Sequence, residues 1–148
     1  MFRFVVKRLS FLKKVPLLPH LFDAWMRIWI YFTNRDLAKT IDDIELEISS
    51  WKGVSLSLHK YGGTQFNVGA KEIGHIHSNG LLDILFNKSL KTELLKEGRV
   101  SDHHVFKNSG WISFYVKTKE DKEYAVGLLR EAYENCSTNA VQNLEYRG

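Results

Sequence analysis

A chain of 148 residues, 44% hydrophobic and 26% charged, is long enough to bury one real core without metals or disulfides. The lone cysteine, Cys136, excludes an intramolecular disulfide and suits a reducing, cytoplasmic compartment. The net charge of +4 is concentrated at one end, in Arg3, Lys7, Arg8, Lys13 and Lys14. The remainder is near neutral, which argues against nucleic-acid binding.

Residues 1–18 form a basic amphipathic segment. Phe2, Val5, Val6, Leu9 and Leu12 fall on one side of a helix, with Lys7, Lys13 and Lys14 largely elsewhere. Such a helix packs on its own domain, or residues 1–14 make peripheral contact with an anionic membrane surface. Its apolar stretches are short and no small-residue cleavage site follows, so a signal peptide is not expected. The run Leu21–Phe32 contains Asp23 and Arg27 and is too short to span a bilayer.

Pro16 and Pro19 separate this segment from the next helix. There Phe22, Trp25, Trp29 and Phe32 follow a 3-4-3 spacing, which predicts a packed apolar face or one wall of a greasy pocket. Plain core and a partner interface are the duller readings. Asn34 or Asp36 can cap a following helix in which Leu37, Ile41, Ile44, Ile48 and Trp51 form the buried stripe.

Beyond Gly53 the period falls to two. Val54, Leu56 and Leu58 alternate with Ser55, Ser57 and His59, predicting a half-buried strand with His59 exposed on its polar side. Thr64–Val68 is a second short strand. A hairpin then spans Lys71 to Phe86, with Ser78-Asn79-Gly80 at its turn. A two-residue loop would mix polar and apolar residues on both faces. A three-residue loop with Gly80 left-handed puts His77 opposite Leu81 and His75 opposite Asp83. One face is then Gly74, Ile76, Leu82, Ile84 and Phe86, with Glu72 at its far end; the other carries His75, His77 and Asp83. Buried faces punish register errors, so the longer loop is expected.

Ser89 is a plausible cap for a helix that buries Leu90, Leu94 and Leu95 and stops at Gly98. Arg99–Ser109 reads as a loop holding His103 and His104. Ile112, Phe114 and Val116 alternate with Trp111, Ser113 and Tyr115 in a last strand. The final helix, capped through Thr118 and Asp121, buries Ala125, Leu128, Leu129, Ala132 and Cys136. Residues 137–148 read as a frayed tail. The chain is thus one α+β domain over residues 19–136. It has an antiparallel sheet of about five strands, with helices on one face and the other face free for a ligand.

The candidate site is the polar face of the hairpin. His75, His77 and Asp83 can act as a proton-transfer or binding set, since imidazole titrates near neutrality and a carboxylate can orient it. With Asp83 opposite, a two-histidine-one-carboxylate metal set is a weaker alternative, but H-x-H supplies only two ligands and no metal is assigned. The dull alternative is that both histidines bond the backbone or Asp83. No phosphate loop, nucleophile elbow or C-x-x-C pair is present.

Several stretches together resemble the luciferase-domain family. They are Lys71-Glu-Ile-Gly-His-Ile-His77, Gly80-Leu-Leu-Asp-Ile84, Glu97–Val105 with its His103-His104 pair, and Ser109–Val116. The resemblance runs from about Trp51 to Tyr133. It implies a cofactor-independent, oxygenase-type pocket for a small aromatic or phenolic molecule, with His75 and His77 nearest the chemistry. His104, Trp111 and Tyr115 would be its walls and Glu72 a secondary candidate. The fungal enzymes have a membrane-spanning N-terminus and a longer, more polar hairpin turn, so light emission is not expected here. The second half is also similar in fold to MmcQ/YjbR-type domains. The competing expectation is a non-catalytic interaction module at a membrane or on a protein partner.

Overall fold

The computed structural model describes residues 18–145. The expected amphipathic segment at residues 1–18 therefore lies outside the described residues but for Leu18, as does the chain beyond Glu145. Helix α1 (Leu18–Thr33) leads into α2 (Arg35–Ser49), capped by Asn34, whose side chain accepts from the Leu37 N–H. Strands β1 (Val54–Leu58), β2 (Thr64–Val68), β3 (Lys71–Ile76) and β4 (Leu81–Leu85) follow, joined by tight turns. Then come α3 (Lys88–Glu97), β5 (Ser101–Asp102), β6 (Trp111–Tyr115) and α4 (Asp121–Glu145). The composition beyond Ser137 suggests fraying, yet the backbone helix continues to Glu145. Asn87, not Ser89, caps α3, and Gly98 ends it in the left-handed region.

The fold is α+β, with one fully antiparallel sheet in the order β1-β2-β3-β4-β6-β5. It has six strands rather than about five. The extra one, β5, is two residues long and pairs only with β6. So short a strand carries no period of its own. Helices α2 and α4 pack on one face of the sheet and against each other. Ile41, Ile44 and Ile48 of α2 and Ala125, Leu129 and Ala132 of α4 are buried there, with Phe66, Ile76, Leu82, Ile84 and Ile112 from the strands. This is the layer in which burial outweighs chain entropy.

The hairpin adopts the three-residue turn. His75 pairs with Asp83, the His77 N–H bonds Leu81 O at 2.8 Å, and Gly80 takes φ +84°. β1 is less buried than its alternation implies, because it is an edge strand with α2 as its main helical neighbour among the described residues. Leu58 is left 66% exposed.

A histidine and carboxylate site on the free face of the sheet

Register sets one polar row across the whole sheet. Ser57, Gln65, His75, Asp83, Ser113 and Ser101 lie directly opposite one another on six successive strands. Because side chains alternate, this row faces away from α2 and α4. It is nevertheless covered. His75, Asp83 and Ser113 are all buried, and the rings of His59, His77 and Trp111 pack against His75.

Asp83 sits at the centre. One carboxylate oxygen accepts a short hydrogen bond from Ser113 Oγ; the other is 3.4 Å from His75 Nε2 and 3.7 Å from His103 Nε2. His75 Nδ1 lies 2.7 Å from Glu72 Oε1. The His75 ring is therefore held between two carboxylates. Burial alone would lower its pKa, but its hydrogen bonds to Asp83 and Glu72 raise it overall. Burial likewise opposes ionisation of Asp83, and bonds from His75 and Ser113 outweigh it, leaving the carboxyl below its ordinary range.

Glu72 corrects an expectation from strand alternation, which puts it on the core side. The register shifts between Phe66 and Asn67: Phe66 faces Gly74, but Asn67 faces Glu72. Ile73 is the extra residue of a β-bulge and points into the core, 2% exposed. A bulge reverses parity beyond it, so Glu72 turns to the histidine face.

His59 is a second correction. Alternation puts it on an exposed polar side, but it is 4% exposed and stacks on His75, with centroids 3.7 Å apart and planes inclined by 11°. Desolvation, then the charge on His75, drives its pKa down to about 4. Its Nδ1 is buried without a hydrogen-bond partner among the described residues. His59 shares the parity of Ser55 and Ser57, and a polar side of a strand need not be solvated.

His77 lies edge-on to His75 at 5.2 Å and is half-buried. Burial and then the His75 charge lower its pKa. Trp111 tilts against His75, with ring centroids 5.4 Å apart. Of the histidine pair on the loop, His103 rather than His104 turns inward. His103 Nδ1 accepts the N–H groups of Val105 and Phe106, which leaves its proton on Nε2, facing Asp83. Burial is the main cause of its lowered pKa. His104 is exposed and stacks on the outer side of His103 at 4.7 Å. Tyr115 shares the face of Ser113 but sits opposite Leu81, half exposed beside an open groove of about 320 Å³. Lys91 on α3 fixes the loop by bonding Lys107 O, Ser109 O and the Asp102 carboxylate.

The site is thus one ring, His75, whose protonated form two carboxylates favour, beside His59, His77 and His103, whose neutral forms burial favours. It can accept a proton at His77, the ring of the set left half-buried. Ring nitrogens of His59, His75 and His77 also come within 4.8 Å of one another, a spacing that could hold a metal ion.

The pH dependence of stability follows with a definite sign. The folded pKa of His59 is depressed to about 4, so between pH 6.5 and 4 the unfolded chain binds more protons. Stability therefore falls with acidification through that window, by about 3 kcal/mol for His59, and His77 and His103 add in the same direction. His75 runs oppositely: its contribution is full below about pH 6.5 and is lost as pH rises through its raised folded pKa. Urea midpoints measured from pH 4.5 to 9 should peak near neutrality. A flat acid limb would show that these rings are solvated.

Fold and site together define an α+β protein with a buried histidine–carboxylate cluster on the free face of an antiparallel sheet. Residues 70–132 match the family model of the Luciferase domain, so this part of the chain is similar to that family. The matched stretch holds His75, His77, Asp83, His103, Trp111 and Ser113, and leaves His59 and α1 outside. No curated protein and no solved structure matches the chain.

Proposed function

We propose that the domain binds a small aromatic molecule bearing an acidic hydroxyl, phenolic or enolic, against Trp111. His77 takes the hydroxyl proton, and the imidazolium so formed pairs with the resulting anion. The observation that carries this reading is the pairing of unlike states within one cluster. A ring fixed by Asp83 and Glu72, which favour its protonated form, stands beside a more accessible ring at His77, whose neutral form burial favours. Tuning neighbouring groups in opposite directions is what proton transfer near neutrality requires. The resemblance to the fungal enzymes points the same way. An electron-rich anion is the form that an oxygenase without a cofactor presents to molecular oxygen, and light emission is not part of the proposal.

The test uses hydroxypyrone and hydroxycinnamate probes. Binding should quench Trp111 fluorescence saturably and shift the probe absorbance to that of its anion. His77→Gln should lower the anion fraction at pH 7 at least about tenfold, with melting changed by only a few degrees. Oxygen uptake, followed at an electrode, reports turnover. Absence of saturable quenching, or a probe bound neutral by both proteins, ends this reading.

A second reading has one observation in its favour, the convergence of His59, His75 and His77. Under it Glu72 would orient His75 from behind, as carboxylates do for metal-bound histidines. Elemental analysis of protein purified without chelators discriminates. One equivalent of a divalent transition metal would displace the first reading.

A further inference from the structure

Helix α1 is built inside out. Its polar groups face the protein: Asp23 accepts from the Ser78 N–H at 3.3 Å and Ser78 Oγ at 3.0 Å. Arg27 pairs with Asp42 at 2.5 Å and Glu45 at 2.9 Å. Ile30 and Met26 pack toward the core on that same side. At 3.6 residues per turn, Leu21, Phe22, Trp25, Ile28, Trp29 and Phe32 fall within an arc of about 120° on the opposite side. All six are more than half exposed, from 52% for Phe22 to 72% for Phe32. The aromatic stripe expected to be core or pocket wall is therefore an outward surface. Contiguous exposed apolar faces of this kind mark interaction sites.

We propose that this face docks on an anionic lipid surface. The charge of the adjoining chain selects that occupant. Residues 1–22 carry Arg3, Lys7, Arg8, Lys13 and Lys14, and the first acidic residue is Asp23. Two copies meeting through α1 would bring two such basic segments together, whereas an anionic bilayer attracts them. Trp25 and Trp29 are stacked and suit the headgroup boundary, where an aromatic body meets a polar rim. No helix among the described residues is long and apolar enough to cross a membrane, so α1 would lie in the interface plane. Asp23 also joins α1 to the Ser78 turn beside His77. Docking therefore brings the histidine face close to the bilayer.

The experiment is co-sedimentation of the full chain with vesicles of phosphatidylcholine alone or with 30% phosphatidylserine (roughly the anionic content of a charged leaflet). Expected results are retention on the anionic vesicles, weakened by salt, and quenching of tryptophan fluorescence by brominated acyl chains. Trp25→Glu/Trp29→Glu should lose binding at least tenfold with unchanged circular dichroism, since both side chains already face outward. Failure of the full chain to bind overturns the proposal. Light scattering then identifies what covers the face. A dimer dispersed by the double variant makes it a self-interface. A monomer whose Trp25 and Trp29 become quenchable by acrylamide only after deletion of residues 1–17 makes it the seat of that segment.

Discussion

Asp83→Asn is expected to lower stability by about 3–5 kcal/mol at neutral pH, roughly 10–15 °C in melting temperature for a domain this size. Asp83 is 1% exposed and meets Ser113, His75 and His103. Removing its charge leaves His75 with only Glu72 as counter-ion, whose side chain is a quarter exposed. An asparagine amide also offers N–H groups where His103 and Ser113 already present donors. The imidazolium can then be kept only at a cost, so the His75 pKa should fall, visible by NMR titration of its ring protons. The destabilisation should shrink as pH rises through the raised His75 pKa of the parent protein, because the pair it disrupts is then uncharged on one side. A loss below about 1 kcal/mol at pH 7 would mean that Asp83 and His75 are not coupled. The same geometry makes His75→Ala a poor functional probe. His75 is itself 6% exposed and bonded on both nitrogens, so its loss would not be silent in melting. His77 is the informative position.

Gly110→Ala is expected to cost about 3 kcal/mol or more, the upper end for overpacking because backbone must move. A Cβ at Gly110 would stand 1.7 Å from the carbonyl oxygen of Phe86. That carbonyl belongs to the strand end whose N–H bonds Gly110 O at 3.0 Å. Neither side can yield without parting β4 from β6 next to Trp111. Near-ultraviolet dichroism should therefore report a displaced Trp111 together with the lower urea midpoint. Gly127→Ala is the control. It lies in α4 with nothing within 4 Å of the added methyl, and should stabilise by roughly 0.5–1 kcal/mol. Similar losses in both variants would remove the steric argument.

The hairpin register was legible in the residues, because only a three-residue turn separates Ile76, Leu82 and Ile84 from His75 and Asp83. The buried stripe of α2, the left-handed stop at Gly98 and the alternation of β6 were equally readable. Each is a local matter of period, turn chemistry or capping, and a chain carries that information in its own order.

What neighbours impose was not readable. The bulge that turns Glu72 onto the histidine face depends on how β2 meets β3, and β5 exists only through its pairing with β6. His59 lay on a polar side that periodicity equates with solvent. His75 stacked over it, with Tyr61 edge-on, turned that side into an interior. In α1 the error ran the other way. The aromatic stripe at helical spacing is real, but the ion pairs of Arg27 and the bonds of Asp23 chose the opposite side to face the protein. Periodicity states which residues share a face; which face is covered depends on partners distant in sequence.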